Sequence, residues 1–198
     1  MVKLRAKCIL VGDASVGKSA LSQMFRSDGA HFQKNYSMTA GVELVVKSVS
    51  IPDSGDSVEL FIFDSAGKDT FLDACEKLWG QPSVLCVVFD WGQPSVLCVV
   101  FDVSSEVSFR SCALWLDRVR AHCQGLQLPG VLVGNKSDLS SRREVEMAMA
   151  QEWAQSQGLE YHETSAKEME NCEAPFLSLA QAFYTLYQDR IQTIQTLA

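Results

Sequence analysis

Eight residues near the N-terminus, Gly12-Asp13-Ala14-Ser15-Val16-Gly17-Lys18-Ser19, restrict the fold more than any other stretch. They read G-x-x-x-x-G-K-S, the pattern of a phosphate-binding loop. Gly12 and Gly17 let the backbone bend so that successive N–H groups point inward at phosphate oxygens. Lys18 brings a point charge to the β- and γ-phosphates, and Ser19 offers a hydroxyl to Mg²⁺. Such a loop belongs between a strand and a helix, because the helix N-terminus then faces the anion. Both flanks are present. Lys7–Val11 is a short apolar run that reads as a buried strand, and Leu21, Met24 and Phe25 recur at helical spacing.

The 198 residues suffice for one domain with one sizeable core, so residues 1–198 are expected to fold as a unit. A net charge of −7 argues against a nucleic-acid binder and removes a polybasic route to anionic membranes. The cysteines, Cys8, Cys75, Cys86, Cys98, Cys112, Cys123 and Cys172, include no C-x-x-C pair and lie mostly among apolar neighbours. They are expected to be reduced, in a cytoplasmic protein. No apolar run has the length of a membrane span. Residue two is Val, the last residues are Thr196-Leu197-Ala198 and the last cysteine is Cys172, so no myristoylation or prenylation signal stands in this sequence and no direct lipid anchor is expected.

Residues 26–41 read as a loop, and Val42–Ile51 and Val58–Phe63 as an antiparallel hairpin turned at Asp53-Ser54-Gly55-Asp56. Phe71–Trp79 reads as a short helix. Residues 79–90, Trp-Gly-Gln-Pro-Ser-Val-Leu-Cys-Val-Val-Phe-Asp, are followed at once by an identical copy at 91–102. Val84–Asp90 and Val96–Asp102 are equally good buried strands, but a parallel crossover needs about a dozen residues, so the two cannot be neighbours in a parallel sheet. One copy is expected in the sheet, favouring the second, with the other looped out. Ser104 or Ser105 is expected to cap a helix burying Val107, Phe109, Leu114, Leu116 and Val119. Gly130–Gly134 is a further strand. A helix over Arg142–Gln157 should bury Val145, Met149 and Trp153, and Leu159–Glu163 is a last strand. Asn171 is expected to cap a final helix whose stripe runs Phe176, Leu179, Phe183, Leu186, Tyr187, Ile191 and Ile194. Alternating strands and helices predict a doubly wound α/β fold with its ligand at the carboxyl ends of the strands.

Four more motifs fall on those strand ends: Tyr36-Ser37-Met38-Thr39-Ala40-Gly41, Asp64-Ser65-Ala66-Gly67, Asn135-Lys136-Ser137-Asp138 and Glu163-Thr164-Ser165-Ala166-Lys167. A lone Asp-x-x-Gly is common. At the end of a strand, downstream of a phosphate loop, it suits a hard cation bound through the carboxylate. With the phosphate loop, these motifs resemble the Ras-superfamily small GTPases, Rab branch, over nearly the whole chain. The resemblance implies the P-loop small GTPase fold, a six-stranded mostly parallel sheet with helices on both faces, and GTP or GDP with Mg²⁺ as cofactors. It implies phosphate binding by residues 12–19, Thr39 and Gly67, and Mg²⁺ held by Ser19, Thr39 and Asp64. Phe32 would stack on the base edge and Tyr36 cover the phosphates. Asp138 would accept two hydrogen bonds from guanine N1 and N2, a pair adenine lacks. Asn135 would tie this loop to the phosphate loop, Lys136 would lie along the base, and Ser165, Ala166 and Lys167 would complete the base site, with the Ala166 N–H on guanine O6.

Lys68 stands where the family has a Gln that orients the attacking water. An ammonium has three donors and no acceptor, so slow hydrolysis is expected. Narrower wording, including Met24–Gly29, His31–Tyr36 and Leu128–Lys136, resembles the Rab-like GTPases of intraflagellar transport. That implies a subunit of the intraflagellar transport B complex. It also implies pairing with the β-sandwich subunit, intraflagellar transport protein 25, and location in the cytoplasm, the cilium or flagellum and its basal body. A role in cargo transport, including BBSome exit, goes with it. The alternatives are a structural subunit with a fixed nucleotide, and a membrane-cycling Rab-type GTPase, against which Lys68 and the missing C-terminal cysteine count. Asn135-Lys136-Ser137-Asp138 counts against an ATPase or kinase.

Overall fold

A computed structural model of the protein describes residues 2–30, 37–80, 95–123 and 128–197. The elements are β1 (Lys3–Val11), α1 (Lys18–Arg26), β2 (Val42–Ser50), β3 (Ser57–Ser65), α2 (Leu72–Gly80), β4 (Val96–Asp102), α3 (Glu106–Ala121), β5 (Gly130–Asn135), α4 (Met147–Ser156), β6 (Glu160–Thr164) and α5 (Ala174–Leu197). Short 3₁₀ turns cover Asp69–Phe71 and Ser137–Arg142. The strands form one sheet in the order β2-β3-β1-β4-β5-β6. β2 runs antiparallel to β3, and every other neighbouring pair is parallel. This is the doubly wound α/β architecture that the alternation of elements predicts, with the six-stranded mostly parallel sheet that the resemblance implies.

The parallel registers align the strand ends. Leu10 stands opposite Asp64, Asp102 opposite Asn135, and Asn135 opposite Thr164. Parallel strands have equivalent ends on one edge, so motifs far apart in sequence emerge side by side. The side chains of β4 divide by parity between two cores. Val96, Cys98 and Val100 join Leu21, Phe25 and Phe176 on one face, while Leu97, Val99 and Phe101 join Trp79, Trp115 and Leu116 on the other. A strand covered on both faces needs apolar residues at every position, which explains the unbroken Val-Leu-Cys-Val-Val-Phe run. The thiols of Cys8, Cys75, Cys98, Cys112, Cys123 and Cys172 are free and buried; Cys86 lies outside the described residues.

The second copy of the repeat thus supplies β4. Trp79 and Gly80 end α2, and the rest of the first copy lies outside the described residues, as do 91–94. Lys7 holds both flanks of that stretch. Its ammonium donates to Leu78 O at 3.0 Å and Trp79 O at 2.6 Å, the open carbonyls of the α2 C-terminus. Its backbone N–H donates to Ser95 Oγ at 3.1 Å, and its carbonyl accepts Ser95 N–H at 2.8 Å. The flanks therefore lie at opposite ends of a single lysine residue, a gap that a Gly-Gln-Pro link of roughly 10 Å reach suits. We expect deletion of residues 91–102, which leaves that link, to raise the melting temperature by about 2–4 °C and to raise solubility. It removes a spare apolar segment of high β-propensity, an aggregation hazard wherever it is not packed. Failure of the shortened chain to fold in a thermal melt would show that both copies have structural roles.

Several expectations are corrected. α3 is capped by Ser105, whose Oγ accepts Ser108 N–H at 3.3 Å, but Val107 and Leu114 are 72% and 52% exposed on its outer face. The helix expected from Arg142 starts at Met147. Glu144 N–H and Val145 N–H both donate to Val103 O, and that tie holds the segment extended against the end of β4. α4 then buries Ala150 and Ala154, one turn apart, and leaves Met149 exposed, with Trp153 half-buried. Asn171 does not cap α5. It has φ 54° and donates from Nδ2 to Glu163 O, while Glu173 O accepts the first helical N–H groups, those of Phe176 and Leu177. The α5 stripe is buried at Phe176 and Leu179, but Ile194 is 67% exposed, because the helix outruns the sheet it packs on.

Candidate functional site

Residues 12–19 wrap the gap between β1 and α1. Gly12 and Gly17 have φ of 145° and 97°, and the intervening Ser15 takes φ 65° without being glycine. Both glycines are also needed for space. A Cβ at Gly12 would come within 2.1 Å of Val100 O, and one at Gly17 within 2.2 Å of Asn135 Nδ2. Lys18 is buried, and its ammonium donates to Gly12 O and Asp13 O at 2.8 Å each. Burial lowers its pKa to about 8, with the Asp64 and Asp13 carboxylates opposing the shift. It remains charged at neutral pH and lies in the loop that would receive an anion.

Ser19 Oγ and Thr39 Oγ1 lie 3.0 Å apart. Beside them stands Asp64, next to last in β3 and 1% exposed, and neither carboxylate oxygen has a hydrogen-bond partner. Burial pushes its pKa up to about 6, against the opposing effects of the Ser19 hydroxyl and the Lys18 ammonium. A buried carboxylate without partners is a costly arrangement that a cation relieves. Among the described residues no three His, Cys, Asp or Glu cluster together. Two hydroxyls and one carboxylate suit Mg²⁺, which keeps waters and phosphate oxygens as its remaining ligands. The residues present therefore fit that ion.

Gly67 presses on the phosphate loop; a Cβ there would lie 2.4 Å from Asp13 C and Ala14 N. Lys68 follows it, exposed, at the entry to the Asp69–Phe71 turn. Phe32 and Tyr36 lie outside the described residues.

Asn135 joins three loops. Its Nδ2 donates to Val16 O at 2.9 Å, and its Oδ1 accepts the Thr164 hydroxyl at 3.0 Å and Ala166 N–H at 3.3 Å. The Ala166 N–H, which the resemblance assigns to guanine O6, thus has a long internal contact here. Ser165 Oγ donates to Asp138 Oδ1 at 2.6 Å, and the exposed Lys167 ammonium lies 3.5 Å from Asp138 Oδ2. Lys136 takes φ 67°, which swings Asp138 back toward Ser165, and its ammonium donates to Asp102 Oδ2 at 2.6 Å. Asp102 itself accepts Ser104 N–H and Ser104 Oγ–H through Oδ1.

Several supporting residues escape sequence reasoning. Asp102 carries a usable signal, since it is a polar residue ending an apolar strand. Trp115 carries none. Its indole N–H donates to Asp13 Oδ1 at 2.7 Å across 102 positions of sequence. The Arg118 guanidinium lies 5.4 Å over its ring and 3.8 Å from Asp69, just beyond Lys68.

Residues 7–185 match the Ras family. The chain is 58% identical over 197 residues to an intraflagellar transport protein 27 homolog of Bos taurus, a match covering the whole of both chains. It is 41% identical over 196 residues to intraflagellar transport protein 27 of Chlamydomonas reinhardtii, covering 97% of this chain and 90% of that one. Against the Ras-related protein Rab-30 of Homo sapiens the identity is 34% over 174 residues, 88% of this chain and 77% of that one.

Proposed function

We propose, for a chain that belongs to the Ras family of small GTPases and within it to the intraflagellar transport protein 27 group, that it is a GTP-binding subunit of intraflagellar transport with slow hydrolysis of its own. The observation that carries the nucleotide reading is Asn135, whose one amide ties the phosphate loop to both loops that would receive the base. The phosphates lie along residues 12–19, with Lys18 neutralising charge and the Gly67 N–H on the γ-phosphate. Ser19, Thr39 and Asp64 would hold Mg²⁺, which would supply neutralisation of phosphate charge. Asp138 accepts from guanine N1 and N2, Lys136 flanks the ring, and Ser165, Ala166 and Lys167 close the pocket edge. Phe32, outside the described residues, is assigned by the resemblance to stacking on the base edge.

Lys68 sets the rate. With no acceptor it cannot hold a water by the donor–acceptor pair that a Gln amide offers. Its positive charge adds to the attraction for bound GTP. The nucleotide therefore acts by presenting the Thr39 and Gly67 loops to other proteins. The names of the matched relatives support a role in intraflagellar transport, and on this reading the chain is a subunit of the intraflagellar transport B complex of cilium or flagellum, with the basal body and cytoplasm as its stations. Intraflagellar transport protein 25 is its direct partner and BBSome exit a process it serves.

Competition and single-turnover measurements on the purified chain with Mg²⁺ test the chemistry. GTP and GDP should displace a bound guanine nucleotide, and ATP should fail to. Hydrolysis should run at or below a rate on the order of 10⁻⁴ s⁻¹. Equal competition by ATP would overturn the base assignment, and several turnovers per minute would overturn the role given to Lys68.

A further inference from the structure

A bidentate ion pair, between a residue outside the nucleotide motifs and one to which the resemblance gives no contact with the nucleotide, closes a ring around Asp138. The 3₁₀ turn that carries Asp138 ends at Arg142, and Arg143 follows it in extended conformation. Arg143 Nη1 donates to Glu163 Oε1 and Nη2 to Glu163 Oε2, each at 2.8 Å, and Nη1 also reaches Val145 O at 3.0 Å. Glu163 stands two residues before Ser165, the residue that donates to Asp138. The ring runs from Asp138 along the chain to Arg143, across to Glu163, along the chain to Ser165 and back to Asp138.

Glu163 is itself fixed on every side. Tyr161 OH donates to its Oε1 at 2.7 Å, and Asn171 Nδ2 donates to its backbone carbonyl at 2.9 Å. The Tyr161 hydroxyl lies where a Cβ on Gly134 would stand, 2.7 Å away, so the residue before Asn135 is glycine to admit it. Both partners of the pair are mostly buried, and fork-to-fork pairing fixes orientation as well as distance. Against the effect of burial, the Arg143 guanidinium and the Tyr161 hydroxyl hold the Glu163 carboxyl below its ordinary range, so the pair stays ionised.

We infer that Arg143 and Glu163 are positioning residues for base selection, setting the angle at which Asp138 meets the N1–N2 edge of a guanine base. The inference rests on the reading of Asp138 as the base acceptor. Two hydrogen bonds from one ring edge to one carboxylate demand coplanarity. A turn held only at Asn135 could tilt, keeping one bond and losing the other. Lys136 on Asp102 holds the start of the turn, and the pair supplies the fixed point at its far end.

Inosine diphosphate lacks the exocyclic amine, so the ratio of its dissociation constant to that of GDP reports the N2 contact alone. The parent chain should prefer GDP by about tenfold or more. Arg143→Ala and Glu163→Gln should each shrink that ratio by about threefold or more, while the affinity for inosine diphosphate changes little. Glu163→Gln keeps the side-chain shape and one acceptor, so it carries the test if Arg143→Ala does not fold. Variants that melt earlier but keep the parent ratio would overturn the positioning role and leave a structural brace. A parent chain with no preference for GDP over inosine diphosphate would instead overturn the base reading beneath it.

Discussion

Asp138→Asn should lower the affinity for GTP and GDP by about 100-fold or more and create measurable binding of xanthine nucleotides. In the proposed reading the carboxylate accepts two hydrogen bonds from the guanine edge, each worth about 1.5–3 kcal/mol when the acceptor is charged. An Asn at the same place presents one acceptor and one amine. The amine meets guanine N2 donor to donor, whereas xanthine carries a carbonyl at that position and accepts from it. The surroundings tolerate the change: the new amide oxygen still receives Ser165 Oγ–H, and the Lys167 ammonium near Oδ2 is exposed and free to swing away. Competition titration of GDP against xanthosine diphosphate, on parent and variant, reads the switch. A variant that keeps its guanine preference would place the base elsewhere.

The second large effect concerns Asp64 and has a defined pH window. Its pKa rises from an ordinary 3.8 to about 6 in the fold. A raised carboxyl pKa means that the folded state holds its proton to higher pH than the unfolded chain does. Stability therefore falls as pH rises between about 4 and 6, and the penalty is complete above that. Two pKa units correspond to roughly 3 kcal/mol. In metal-free, nucleotide-free protein, Asp64→Asn should be more stable than the parent at pH 7 by up to that amount. The advantage should fade below about pH 4, where both side chains are neutral. The same variant should lose at least about tenfold in affinity for GDP measured with Mg²⁺, because the carboxylate that favours the ion is gone. Paired thermal melts at pH 4 and pH 7 check the first part. Equal melting temperatures at pH 7 would show that Asp64 is solvated, not stranded.

The same trade of local cost for a ligand site explains what the sequence made legible. The phosphate loop, the strand ends and the base motif were readable because their residue types are dictated by the ligand at short range. Gly12 and Gly17 are needed for bends, and a Lys-Ser follows for the phosphates and the ion. The fully buried β4 was readable from its unbroken apolar run, although two identical copies offered it. What escaped depended on distant neighbours. Val107 and Leu114 lie seven residues apart on one side of α3, but that side is turned away from the sheet, which is covered by Cys112, Trp115, Leu116 and Val119. Met149 lost its place to Ala150 because a close helix–sheet contact favours the small side chain. The start of α4 was set by Val103 O, some forty positions earlier in the chain. Trp115 and Arg143 likewise reach residues of the site motifs, Asp13 and Glu163, across distances in sequence that no local pattern announces.

Asn135 places the whole site in one frame of reference. Its amide connects the loops at 12–19, 135–138 and 164–166, so they move as one body and not as three. The entropy of ordering them is spent when the chain folds and is not charged again when the ligand arrives. In the proposed reading, base and triphosphate then behave as two halves of a bivalent ligand. Once either half has docked, the ribose delivers the other at an effective concentration far above that of free nucleotide in solution. A residue that touches the phosphate loop on one side and the base loops on the other belongs to neither subsite. It is the rigid spacer between them, matched to the length of the molecule they share.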